Sequence, residues 1–386
     1  MTGPTASRQG CQGDDVSDHR VRALDGLRGL AVALVVAAHA VRMGAGGAGE
    51  HPDGPAALLL VPFNGGIGVT LFFVLSGFLI TGILVREKQR TDHISLSSFY
   101  RRRVLRIVPA LAVFLAAVGV LGAVGVLSMP GRDLLAAGTF TSNYWLPGDT
   151  WALGHTWSLS VEEQFYLLWP LVLIALPARR AVQLAVAYCV VAPAVRVASY
   201  VLLPDTQGAI WEMFHTRADS LLVGCLLALL PISHPELYAR LVHAVRARST
   251  VPVAALVLLA SSAAELLLGG RWLFPVGYST NNVAAAVLVL AALVAAPHTG
   301  WMRWRALTFL GLISFSLYLW QQLFLVADPT APPMFGQFGD WGTAVVGVLA
   351  ALTVAVLSQR YVEGPFLRLK EGQSRASALA AQNSRR

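Results

Sequence analysis

The chain has 386 residues, 55% of them hydrophobic and only 13% charged, with a mean hydropathy of +0.60. Soluble domains carry about 25% charged residues, so this composition excludes an ordinary water-soluble enzyme and fits a chain solvated by lipid. The formal net charge of +8 could suit nucleic acid, but it is better explained by basic loops on one side of a membrane, and no nucleic-acid partner is expected.

In chain order, residues 1–20 are polar and read as a disordered cytoplasmic tail. No short apolar run with a small-residue cleavage site follows, so the first span is expected to be an uncleaved signal-anchor. A helix needs roughly 20 apolar residues to cross the hydrocarbon core. Ten stretches are candidates: 24–43, 67–85, 104–127, 160–177, 181–202, 218–231, 251–268, 283–297, 307–327 and 342–360. The sixth is short and is expected to begin earlier, within 209–217. The loop 128–157 is the longest outside segment, and its Trp145, Trp151 and Trp157 suit an aromatic interface belt.

Lysine and arginine placement sets the orientation. With the N-terminus in the cytoplasm, 23 of the 29 basic residues fall on the inside, against four outside (Arg42, Arg132, Arg217 and Arg271). Arg28 and Arg196 lie within helices. That asymmetry follows the positive-inside rule and supports an even number of crossings. The expected fold is therefore all-α: a polytopic transmembrane helix bundle of about ten helices, both termini cytoplasmic. One domain covers 21–366, between disordered tails at 1–20 and 367–386. Cys11, Cys189 and Cys225 have neither metal-site nor disulfide spacing, and no metal is expected.

Ionisable groups inside a membrane are costly and point to function. Arg28 and His39 are eleven residues apart in "LDGLRGLAVALVVAAHA". That spacing puts both on one helical face, about 16–17 Å apart along the axis. A histidine can take a proton from a hydroxyl near neutral pH, and an arginine can pair with phosphate or carboxylate. A snorkelling arginine and a helix-bridging histidine would fit equally well. In "FYRRRVLRIVP", Arg102, Arg103 and Arg106 cluster at a helix start, where guanidinium groups suit a polyphosphate and where plain topology also places basic residues. In "HTWSLSVEEQFYLLWP", Glu162 and Glu163 open an apolar run, seven residues after His155 in the case of Glu162. A carboxylate there could orient an imidazole or complement the helix dipole. Ser314, Tyr318 and Gln321 share one helical face at i, i+4 and i+7. Arg217, Asp219 and Glu265 read as packing contacts between helices.

Seven strings, in order, resemble the acyltransferase-3 family of integral membrane acyltransferases: "ALDGLRGLAVALVVAAHA", "GVTLFFVLSGFLIT", "FYRRRVLRIVPAL", "TWSLSVEEQFYLLWP", "TRADSLLVGCLLA", "GLISFSLYLWQ" and "YVEGPF". They spread over roughly 20–366. The resemblance implies transfer of an acyl group, commonly acetyl, from a cytoplasmic acyl-CoA to a hydroxyl of a surface polysaccharide, lipid-linked sugar, peptidoglycan or macrolide. The family's R-x10-H motif falls on Arg28 and His39, its R-x-x-R motif on Arg103 and Arg106, and its acidic S-[IV]-E motif on Glu162. Where the family usually reads "SLYLWH", this chain has Gln321. Some members carry a fused extracytoplasmic hydrolase-like domain, and none is evident in these 386 residues.

The resemblance implies a membrane-embedded O-acyltransferase of the plasma membrane, with acyl-CoA as donor substrate and no bound cofactor. Arg103 and Arg106, with Arg102, would clamp the donor's phosphates. Arg28 would guide its pantetheine arm or a second phosphate. His39 would deprotonate the acceptor hydroxyl, and Glu162 would orient or stabilise the imidazole. A secondary transporter of a glycan or small metabolite is the alternative.

Overall fold

The computed structural model describes residues 8–45, 61–145, 150–325 and 339–369. Among them every regular element is helical. In order these are α1 (Arg8–Gly44), α2 (Gly65–Thr91), α3 (Leu96–Ala123), the short α4 (Gly131–Gly138), α5 (Thr156–Ala175), α6 (Ala178–Leu202), α7 (Phe214–Ser233), α8 (Pro235–Val245), α9 (Thr250–Leu268), α10 (Tyr278–Leu293), α11 (Arg305–Leu312), α12 (Ser314–Phe324) and α13 (Gly339–Ser358).

Eight segments are long and apolar enough to cross a membrane, and they match eight of the ten expected crossings. The other two are present in altered form. Residues 160–175 lie in α5, a continuous helix made less apolar by Glu162, Glu163 and Gln164. The described part of 307–327 falls on two helices, α11 and α12, which break sharply at Ile313 and are long and apolar enough to cross only when taken together, as one broken span or a re-entrant pair. The sixth crossing does begin earlier than its apolar run, with α7 starting at Phe214. Of the tail expected at 367–386, residues 367–369 are helical and 370–386 lie outside the described residues. So do the side chains before Val21, although α1 itself starts at Arg8.

The helices form two compact units, with α1 contributing residues up to Ala38 to the first and from His39 onward to the second. The first unit also holds 52–86 and 165–314. Its core joins Leu27 and Ala31 of α1, Leu71 and Val74 of α2, Val251 and Leu258 of α9, and Leu288 and Val289 of α10. Backbones touch where side chains vanish. A Cβ on Gly77 of α2 would collide with the Leu221 carbonyl, and one on Gly224 of α7 with that of Val74. Lipid offers no hydrophobic drive between helices, so such small-residue contacts supply the packing. Arg196 is fully buried and satisfied. Its Nη1 donates to Asp219 Oδ2 and the Thr216 carbonyl, its Nε to the Phe274 carbonyl, and its Nη2 to Ser279 Oγ.

The second unit comprises 39–51, 87–164 and 315–386. Leu111, Phe114 and Val118 of α3 pack with Leu153, Leu159, Leu319, Trp320 and Leu323. Its α3 begins with a built cap. Ser95 Oγ accepts from the Ser98 N–H, and Glu87 Oε1 accepts from the Ser95 N–H. At the other end of the unit's sequence, Ser316 Oγ donates to Glu363, inside the "YVEGPF" string. This unit carries most of the candidate site.

Candidate active site

His39 is half-buried on α1. Its Nδ1 lies 2.8 Å from Oε1 of Gln321 on α12. An amide oxygen can only accept, so Nδ1 carries the proton, and Nε2 is the basic nitrogen of the neutral ring. The bond that fixes this imidazole thus comes from the residue standing where the family pattern has histidine. Glu162 was the expected orienting group; it sits on α5, half-buried.

A tryptophan backs the imidazole. The indole of Trp151 meets the His39 ring edge-on, with centroids 5.4 Å apart. Trp151 Nε1 donates to the carbonyls of Gln322 and Leu325, each at 3.0 Å, and Gln322 Nε2 returns a bond of 2.7 Å to the Trp151 carbonyl. Consecutive glutamines therefore hold the histidine and the turn behind it. Gly154 lets that turn approach, because a Cβ there would press on Gln322 Nε2. The belt expected of the 128–157 tryptophans fits the exposed Trp145, whereas Trp157 is buried and Trp151 is occupied inside the unit.

His155 follows in the same turn and is 4% exposed. Its carbonyl accepts from Ser158 Oγ at 3.1 Å and from Tyr318 OH at 3.3 Å. Phe114 and Tyr318 meet its ring edge-on. Burial pushes its pKa down to about 3, and His39 acts in the same direction, so the imidazole is neutral.

The basic cluster divides. Arg102 is an ion-pair partner of Glu87 at 3.2 Å, a contact that ties the start of α3 to the end of α2. Arg103 lies over the Phe99 ring. Arg103, Glu162 and Arg106 are the charges that act on Glu163, whose buried Oε1 has no hydrogen-bond partner. In the first unit, Arg28 donates to Ser314 Oγ at 3.0 Å and sits 3.9 Å from Asp25. The structure thus joins His39 to Gln321 and Trp151, and Arg102 to Glu87. The tryptophan's role had no signal in the sequence beyond its residue type.

The chain belongs to the acyltransferase-3 family, whose acyltransferase domain matches residues 21–360. It is a multi-pass membrane protein, and the family gives no support to the transporter reading. The chain is 29% identical over 371 residues to the protein named "Putative peptidoglycan O-acetyltransferase YrhL" of Bacillus subtilis (strain 168), covering 90% of this chain and 55% of that one. It is 27% identical over 374 residues to the peptidoglycan O-acetyltransferase OatA of Listeria monocytogenes serovar 1/2a, covering 89% and 55%. Against the O-acetyltransferase OatA of Staphylococcus aureus (strain NCTC 8325 / PS 47) the identity is 26% over 348 residues, covering 82% and 56%. The chain spans about half the length of these relatives. No solved structure matches it.

Proposed function

We propose that this chain is the membrane part of an O-acetyltransferase of the plasma membrane. It would take an acetyl group from cytoplasmic acetyl-CoA and pass it to a hydroxyl of a cell-wall glycan, with peptidoglycan the first acceptor to test. The observation that carries the reading is the His39–Gln321 bond at 2.8 Å, which leaves a basic Nε2 on a half-buried histidine in a family of acyltransferases. The names of the relatives support acetyl as the group and peptidoglycan as the acceptor.

In the proposed reaction, His39 Nε2 takes the proton of the acceptor hydroxyl. The acceptor oxygen bonds to the thioester carbon, and the carbonyl π pair moves onto its oxygen. That pair then returns, the C–S bond breaks, and the thiolate takes the proton from the imidazolium. The products are an O-acetyl ester and free CoA. Arg103 and Arg106 hold the donor's phosphates, with Arg102 bracing their helix. Arg28 meets the pantetheine arm or a second phosphate. Glu162 adds negative charge that favours the imidazolium.

The test uses the purified chain in nanodiscs, with acetyl-labelled acetyl-CoA and peptidoglycan strands. Alkali-labile label on the glycan, lost in His39→Ala, is the expected result. Acceptor-independent hydrolysis alone, or glycan label undiminished in His39→Ala, overturns the reading.

A further inference from the structure

Two buried polar groups near His39 have no part in the reaction as written. Gln321 is 0% exposed, and while its Oε1 is engaged by His39, its Nε2 has no hydrogen-bond partner. Neither ring nitrogen of His155 makes a hydrogen bond of ordinary geometry, although the Gln322 side chain and the Leu319 backbone lie close enough to favour its protonated form. Buried donors are almost always paired, because leaving one unpaired forfeits its hydration without return. With Trp320 Nε1, whose ring also meets Phe114, likewise unpaired, such groups in one small region point to a polar atom that arrives with the substrate.

Their placement is specific. Tyr318, whose ring meets that of His155 at 5.4 Å, lies three residues before Gln321 on α12, so Gln321 follows less than one turn later. His155 is tied to His39 from the other side, through the turn that begins at Trp151 and touches the His39 ring. Phe114 and Tyr318 wall the His155 ring. A neutral imidazole carries one N–H, and an amide nitrogen carries two.

We propose that the Gln321 amide nitrogen and the His155 imidazole N–H are the oxyanion donors of this acyltransferase. They would receive the carbonyl oxygen of the thioester as negative charge develops on it. Dry, pre-positioned donors aimed at developing charge are the form such stabilisation takes, and a neutral histidine can serve as the electrophile. Gln321 then has two duties on one amide: its oxygen fixes the His39 tautomer, and its nitrogen binds the oxyanion. The proposal rests on the acyl-transfer reading above.

Separating the duties tests it. Gln321→Glu keeps an oxygen acceptor for His39 Nδ1 but removes the N–H donor; Gln321→Leu removes both. His155→Phe replaces the imidazole with a ring that suits its aromatic walls. Each variant is assayed in nanodiscs near pH 8, with thermal unfolding and acetyl-CoA binding measured alongside. Loss of one donor is expected to lower kcat about 10²–10³-fold with KM for either substrate little changed. Restoring a donor in His155→Gln is expected to recover part of the loss. If Gln321→Glu stays within about threefold of wild type while Gln321→Leu is inactive, Gln321 only sets the tautomer and the proposal fails. Full activity in His155→Phe removes His155 from it. Should the Gln321 variants fail to fold, His155→Phe and His155→Gln decide. A wild-type chain that transfers no acetyl group defeats the parent reading instead.

Discussion

Oε1 of Gln321 accepts from Nδ1 of His39 at 2.8 Å, linking α1 to α12. The bond chooses the tautomer, and with it the nitrogen that can act as a base. Replacing His39 by alanine is expected to lower the transfer rate by about 10²–10⁴, the range for loss of a general base. Membrane insertion should stay near wild type, and thermal unfolding should fall only modestly, through the lost partner of the buried Gln321 Oε1. Retained turnover in the nanodisc assay would remove the base from His39.

Trp151 holds the imidazole from behind, and its indole N–H is bonded to two carbonyls. Trp151→Phe keeps the ring contact and loses both bonds; Trp151→Ala loses everything. Small misplacement of a catalytic group costs about 10²-fold. Trp151→Ala is therefore expected to fall by about that factor in kcat, with Trp151→Phe between it and wild type. The ordering of the three rates is the measurement, and equal rates in both variants would refute the positioning role.

Much of this fold could be read in the sequence, because lipid imposes a simple rule: an apolar run of the right length becomes a crossing helix. Eight of ten expected crossings follow that rule. It is silent about residues 307–327, where apolarity alone does not reveal the break at Ile313. His39, Arg103 and Arg106 stood out by type and spacing. Trp151 did not, since a tryptophan in an outside loop looks the same whether it faces lipid or a histidine.

The arginines are expected to separate by assay. Arg103→Ala and Arg106→Ala should raise KM for acetyl-CoA, because their charges are the ones proposed to bind phosphate. Arg102→Ala should act mainly on stability through its partly exposed pair with Glu87, by about 0.2–1 kcal/mol. A double-mutant cycle of Arg102→Ala with Glu87→Ala checks that coupling. A KM effect in Arg102→Ala as large as in Arg103→Ala would place all three on the donor.

Arg196 and Asp219 make the sharpest stability prediction. Their side chains are at most 2% exposed and meet at 2.9 Å, with Asn282 Nδ2 adding a second bond to the same carboxylate oxygen. Removing one partner leaves the other buried and uncompensated, which costs about 3–5 kcal/mol. Replacing both by apolar groups of similar volume removes the charges together and often restores stability. Arg196→Met and Asp219→Leu should each lower the unfolding temperature in detergent markedly, and the double variant should lie well above either single one. The four hydrogen bonds of Arg196 temper that recovery, because the Phe274 and Thr216 carbonyls and Ser279 Oγ also lose their donor. The double variant is therefore expected to stay below wild type. Additive losses from the two substitutions would show that the ion pair contributes no coupling to the first unit.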